Sequence, residues 1–187
     1  MSDKRTTALD AAIELLGTEG LRGLTHRGVD AAAGLAAGST SNYFRTRRAL
    51  LDGVLDRLVA RDRADAAALT GPAPRTIGEL EDLFVGYVLT ATGPDVVRTR
   101  ARYALFVEAA SVPELRAAVQ SRREELRGWG IGMLTSLDAG TIPGDSDVEL
   151  CARVIMDYID GVILHRLTSD DEPHPRDGIR RVLDALR

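Results

Sequence analysis

Apolar positions recur at helical spacing along nearly the whole chain, and no stretch alternates with the period of a strand. Leu9, Ala12, Ile13 and Leu16 predict a first helix over 3–19, with Gly20 placed to end it. Thr25 can cap a second, short helix whose apolar face is Val29, Ala32 and Ala33, and Gly34 breaks it, because glycine tolerates the left-handed backbone that stops a helix. Leu35 follows as a buried plug, and a third helix is expected over 37–43 with Phe44 anchoring its far end. Thr46 is the expected cap of a longer helix to about Arg63, striped by Leu51, Val54, Leu55, Leu58 and Val59.

The run GPAPR at 71–75 reads as a boundary. Beyond it, Ile77, Leu80, Phe84, Tyr87, Val88 and Ala91 mark a helix that stops at Gly93 and Pro94. The next runs to about Ala110 with Tyr103, Phe106, Val107 and Ala110 on one side; Arg98, Arg100 and Arg102, spaced by two, are expected to fan into solvent. A long helix from Pro113 to about Asp138 contains Gly128, Gly130 and Gly132, each costing about 1 kcal/mol relative to alanine, so a bend or a close packing approach is expected there. Asp145 or Ser146 is the expected cap of a helix reaching about Leu167. One of its stripes is Leu150, Val154, Tyr158 and Val162, and the other is Cys151, Ile155, Ile159 and Ile163, so it needs two partners. The last helix, about 176–186, carries Ile179, Val182, Leu183 and Leu186.

The third helix is the unusual one. Ser39, Thr40, Ser41 and Asn42 give it little bulk for a core, but their hydroxyl and amide groups suit base edges and phosphates. Thr25, Val29, Ala33, Gly34, Gly38, Tyr43, Phe44, Arg47, Ala49, Leu50 and Leu51 fall where the helix-turn-helix of the TetR (tetracycline-repressor) family places such residues, with Leu35 and Ala36 as near substitutes. The segment resembles that family; it departs at Thr40, where a large aliphatic residue is usual, and at Ser41, where a tyrosine is usual.

The resemblance implies an all-α protein, with a three-helix DNA-binding head at 1–48 and an effector-binding and dimerisation bundle at 49–187. The expected DNA contacts are Arg27, Ser39, Thr40, Ser41, Asn42, Tyr43 and Arg47, with Asn42 reading either an adenine edge or a phosphate and Arg47 clamping a phosphate. Family likeness implies a small-molecule effector, for which Tyr87, Tyr103, Phe106, Glu108, Trp129 and Met133 are candidate contacts. The doubly apolar helix and the last one suggest a homodimer interface at Val154, Tyr158, Gly161, Val162, His165, Ile179, Val182 and Leu183. A two-fold dimer in turn implies double-stranded DNA with a palindromic operator. The expected function is a repressor released by its ligand; an activator, or a helical small-molecule-binding protein or enzyme without DNA binding, is the alternative.

Charge changes this picture only slightly. The net charge is −4, yet residues 1–48 hold seven basic side chains against five acidic ones, so the remainder is the acidic part. Catalysis finds no motif: there is no Gly-rich phosphate loop or nucleophile elbow, and Cys151 sits in an apolar helix. Three histidines and one cysteine offer no metal-ligand spacing, so neither a metal nor a cofactor is expected. No stretch reads as a signal peptide or a membrane span, and a soluble cytoplasmic protein is expected.

Overall fold

The computed structural model describes residues 3–68, 72–142, 147–169 and 173–185. Among them are nine helices and no strand: α1 (Lys4–Gly23), α2 (His26–Ala32), α3 (Ser39–Tyr43), α4 (Arg47–Ala68), α5 (Ile77–Thr92), α6 (Val96–Glu108), α7 (Pro113–Thr135), α8 (Val148–Thr168) and α9 (Arg176–Asp184). They form two compact units, Met1–Thr70 with Val96–Gln120 and Gly71–Asp95 with Ser121–Arg187, so the boundary falls inside α7. Gly71 of the expected linker, both expected caps Asp145 and Ser146, and Leu186 lie outside the described residues.

In the first unit α1 packs against α2, α4 and α6. Leu9, Ile13 and Leu16 of α1, Val29 of α2, Phe44, and Leu50, Val54 and Leu58 of α4 share one core with Ala101 and Leu105 of α6. Gly20, at φ 70°, kinks α1 where an end was expected, and helical turns resume to Gly23. Thr25 caps α2 by accepting from the Gly28 amide at 3.0 Å, and Thr46 caps α4 by accepting from Ala49 at 3.0 Å, both as the sequence implied. Ala32 of the expected apolar face is exposed. A Cβ at Gly17 would stand 2.1 Å from the Val97 carbonyl oxygen, so only glycine allows α1 this close to α6.

Helix α6 turns differently from its expected orientation. Its buried line is Thr99, Ala101 and Leu105, whereas Val107 is 73% exposed and Tyr103 and Phe106 are half-buried. The arginines expected in solvent are also reassigned. Arg98 bonds Asp65 at 2.6 Å and Arg102 bonds Asp62 at 2.7 Å, and both arginine side chains are largely covered. The spacing of two did fan them, but α4 supplies carboxylates on the side where two of them land.

The second unit is built on α5, α8 and α9 with the later part of α7. Thr76 and Glu79 form a reciprocal capping box that starts α5, and the Asp147 carboxylate accepts from the Leu150 amide at 3.0 Å to start α8, two residues beyond Asp145. Helix α7 runs unbroken through its three glycines; Gly130 is the close approach, 3.6 Å from Ala152 and Met156 of α8 at the position a Cβ would take. Helix α9 is clamped to α5 by Glu81, a buried carboxylate bonded by Arg176 at 2.6 Å and by Arg180 at 3.0 Å. The bonds from Arg180 outweigh the upward push of burial and, with those from Arg176, hold the Glu81 carboxyl below its ordinary value.

Candidate nucleic-acid interface

Helix α3 has five residues, too few to be stable alone, so its position depends on bonds from outside it. Gly38 precedes it at φ 87°, a left-handed conformation that favours glycine. Asp30 of α2, 4% exposed, reaches under the start of α3 and accepts from the Gly38 amide at 2.7 Å, the Thr40 amide at 2.7 Å and the Thr40 hydroxyl at 2.6 Å. Burial pushes the Asp30 carboxyl up, but the bonds from Thr40 and Gly38 and the nearby His26 ring leave it below the usual carboxylate range. At the other end, the Phe44 amide donates to the Thr40 carbonyl at 2.9 Å, and His26 Nε2 donates to the Phe44 carbonyl at 2.6 Å. The Phe44 ring is buried against Gly53, where a Cβ would lie 2.6 Å from Cε1, and Arg5 covers it at 5.2 Å from the ring centroid.

With its inner side locked in this way, α3 turns Ser41, Asn42 and Tyr43 outward, and Arg27 of α2 is exposed as well. Ser39 is half-buried and donates its hydroxyl to the Ala36 carbonyl at 2.6 Å, leaving its oxygen lone pairs as acceptors. One expected DNA contact is corrected. Thr40 is fully buried and bonded to Asp30, so it positions the helix and does not face DNA. Arg47 donates to the carbonyls of Leu24 and Leu21, the latter at 2.5 Å, and so ties the start of α4 to the end of α1 while staying exposed. Its long side chain found backbone acceptors more than twenty residues away, a partnership with no local trace. Asp30 and His26 went unremarked in the sequence; the one signal was an acid enclosed by Val29 and Ala31 to Ala33 on an otherwise apolar stretch.

The family described as bacterial regulatory proteins, tetR family, matches residues 8–54, and the one described as tetracyclin repressor-like, C-terminal domain, matches residues 75–187. The chain belongs to the TetR family. It is accordingly a DNA-binding transcriptional regulator, in a family whose members bind DNA and small molecules and are not enzymes. Among solved structures, multidrug binding protein EbrR with ethidium is 25% identical, with 98% of each chain covered and a TM-score of 0.75. EbrR with imidazole is 28% identical, covering 100% of this chain and 96% of that one at a TM-score of 0.69. A TetR-family member from Streptomyces coelicolor A3 is also 28% identical, covering 99% and 98% at 0.71. A comparison with curated proteins finds no significant match.

In this TetR-family chain the residues named for the effector fall in both units. Tyr103 and Phe106, with ring centroids 5.8 Å apart, and half-buried Glu108 belong to the first. Tyr87 and Trp129, each 43% exposed, and buried Met133 belong to the second. The residues named for a dimer separate by depth. Val154 is 43% exposed and His165 is exposed, Tyr158, Gly161, Val162 and Val182 are half-buried, but Ile179 and Leu183 are buried. These last two are a correction: the apolar face of α9 packs within its own unit, where Gly178 also leaves room for the Tyr158 hydroxyl. No helix among the described residues is long and apolar enough to cross a membrane, and no group of three or more potential metal ligands gathers among them.

Proposed function

We propose that this regulator is a cytoplasmic repressor that binds a palindromic operator as a homodimer and is released by a small aromatic ligand. Residues 1–48 act as the DNA-reading head and 49–187 carry effector binding and dimerisation. The reading rests on α3, whose buried side is fixed by Asp30 while Ser41, Asn42 and Tyr43 stay exposed for base edges and phosphates. EbrR, described as multidrug binding and seen with ethidium, proflavin, malachite green and imidazole, supports an aromatic and often cationic ligand class. Such a ligand must bind the released conformation more tightly; a 100-fold loss of operator affinity corresponds to about 2.7 kcal/mol of coupling.

Fluorescence anisotropy on duplexes enriched by the protein from genomic fragments tests this, with scrambled duplexes as control. Selective binding that malachite green weakens about 100-fold is the expected result. Asn42→Ala is expected to cost about 1–3 kcal/mol on the preferred sequence and little on the scrambled one. Equal binding to both duplexes sinks the regulator mechanism, and selective binding unchanged by malachite green and a panel of aromatic cations sinks the ligand class.

The stripe of α8 that holds Leu150 and Val154, with Leu164 beside it, supports the dimer. Leu150, Val154 and Leu164 are 44%, 43% and 46% exposed, and at Gly161 a Cβ would meet nothing within 4 Å, leaving room for another backbone. A two-fold dimer fits a palindromic operator whose half-sites lie roughly 34–36 Å apart. Val154→Glu is expected to convert the dimer to monomer in sedimentation at micromolar concentration, with little change in melting of the monomer core. A variant that still sediments as the wild-type dimer moves the interface elsewhere.

A further inference from the structure

A threonine hydroxyl inside a helix ordinarily bonds back to a carbonyl three or four residues earlier. Thr7, Thr18, Thr92, Thr135 and Thr168 all do so here, at 2.8 to 3.3 Å. Thr99 of α6 does not. It is 0% exposed, and its Oγ1 is the one buried side-chain oxygen or nitrogen among the described residues that meets no hydrogen-bond partner. Valine has the same shape without this cost, so a hydroxyl left unpaired in a dry position calls for a partner from outside the fold.

At helical spacing Tyr103 stands one turn beyond Thr99 and Phe106 two, on one side of α6. Both rings are half-buried, with centroids 5.8 Å apart and planes tilted by 49°. Ala101 and Leu105 lie toward the other side and join the core of the first unit. Arg102, three residues after Thr99, is bonded to Asp62 at 2.7 Å, so its charge is already balanced before any cation arrives.

We propose that Thr99 is a specificity-determining residue of the effector site: its Oγ1 accepts a hydrogen bond from an aromatic cation that carries an N–H, while the Tyr103 and Phe106 rings hold the ligand's flat face. The proposal rests on the aromatic-ligand reading above and deepens it by naming the group the ligand must carry. A flat ring and a positive charge suit the two aromatic side chains whatever the substituents on nitrogen. The hydroxyl distinguishes an amine from its fully alkylated counterpart, since only the former can donate to it. Solvent reaches Tyr103 and Phe106 but not Thr99, so a ligand that bonds Oγ1 selects a conformation in which α6 is uncovered there. Binding therefore favours a conformation other than this one, the differential affinity that a shift between states needs.

The probes are two dyes seen with EbrR, titrated calorimetrically into the full chain: proflavin, which carries primary amines, and malachite green, whose nitrogens are fully methylated. Thr99→Val is expected to weaken proflavin about 10-fold and to leave malachite green within about 2-fold, because one hydrogen bond is lost from one complex only. Thr99→Ser, which keeps the hydroxyl, is expected to retain most of the proflavin affinity. Without ligand, Thr99→Val is expected to melt above the wild type, since a buried hydroxyl lacking a partner has been removed.

Equal weakening of both dyes by Thr99→Val reduces Thr99 to filling space and overturns the selection, and unchanged affinity for both removes it from the site. A Thr99→Val chain that melts below the wild type means that the hydroxyl was already bonded within the fold, which overturns the premise. A wild type that binds malachite green but not proflavin overturns the selection as well. If the wild type binds neither dye, the aromatic-ligand reading itself fails and Thr99 loses its role with it; tight wild-type binding of proflavin confines any failure to Thr99.

Discussion

Asp30→Ala is expected to destabilise the first unit by about 3 kcal/mol and to weaken operator binding more than 100-fold, a loss larger than that from any exposed residue of α3. The carboxylate accepts three bonds, from the Gly38 amide, the Thr40 amide and the Thr40 hydroxyl, and it is 4% exposed, so water cannot readily replace it. Removing it orphans buried donors at the start of a helix too short to hold itself. Urea unfolding followed by circular dichroism, beside anisotropy on the enriched duplex, measures both effects. A stability change under about 1 kcal/mol with unchanged DNA affinity rejects the role. Acid adds a second signature. The folded Asp30 carboxyl titrates below its unfolded value of about 3.9, so its contribution is full above that pH and is lost as pH falls through the folded value. Asp30→Asn removes this contribution, and its stability is therefore expected to fall less steeply than that of the wild type below about pH 4.

Gly17→Ala is expected to cost about 2–3 kcal/mol although alanine is the better helix former. The added methyl would stand 2.1 Å from the Val97 carbonyl oxygen and 2.6 Å from Val97 Cγ1. A carbonyl in the backbone of α6 cannot swing aside as a side-chain tip can, so α1 and α6 must separate and open the core they share. Gly128→Ala on α7 is the matched control. Nothing lies within 4 Å of the position its Cβ would take, so the helix preference for alanine acts alone and stability is expected to rise by about 0.5–1 kcal/mol. Denaturant midpoints for the two variants therefore move in opposite directions. If both rise, α1 and α6 are less tightly packed than the distances imply.

Much of this protein was legible in its residues, and the legible part is local. The caps at Thr25 and Thr46 and the break at Gly34 depend on groups within four residues along the chain, so sequence spacing alone decides them. The apolar stripes of α1, α4 and α8 predicted helices for the same reason; of the two stripes of α8, expected to need two partners, one is buried and the other partly exposed. The family pattern from Thr25 to Leu51 then carried the regulator reading, since it is itself a set of short-range spacings.

The chemistry of the DNA-facing surface was decided elsewhere. Thr40 and Arg47 suited DNA by residue type, but Thr40 went to a carboxylate ten residues back and Arg47 to carbonyls 23 and 26 residues back. Arg98 and Arg102 went to Asp65 and Asp62 of α4 in the same way, and Ile179 and Leu183 of α9 were buried inside their own unit. A polar side chain in a sequence declares its donors and acceptors, while the partner that satisfies them depends on which distant helix arrives beside it. Only packing decides that, and so only the tertiary structure separates the side chains already engaged within the protein from Ser41, Asn42 and Arg27, which remain exposed.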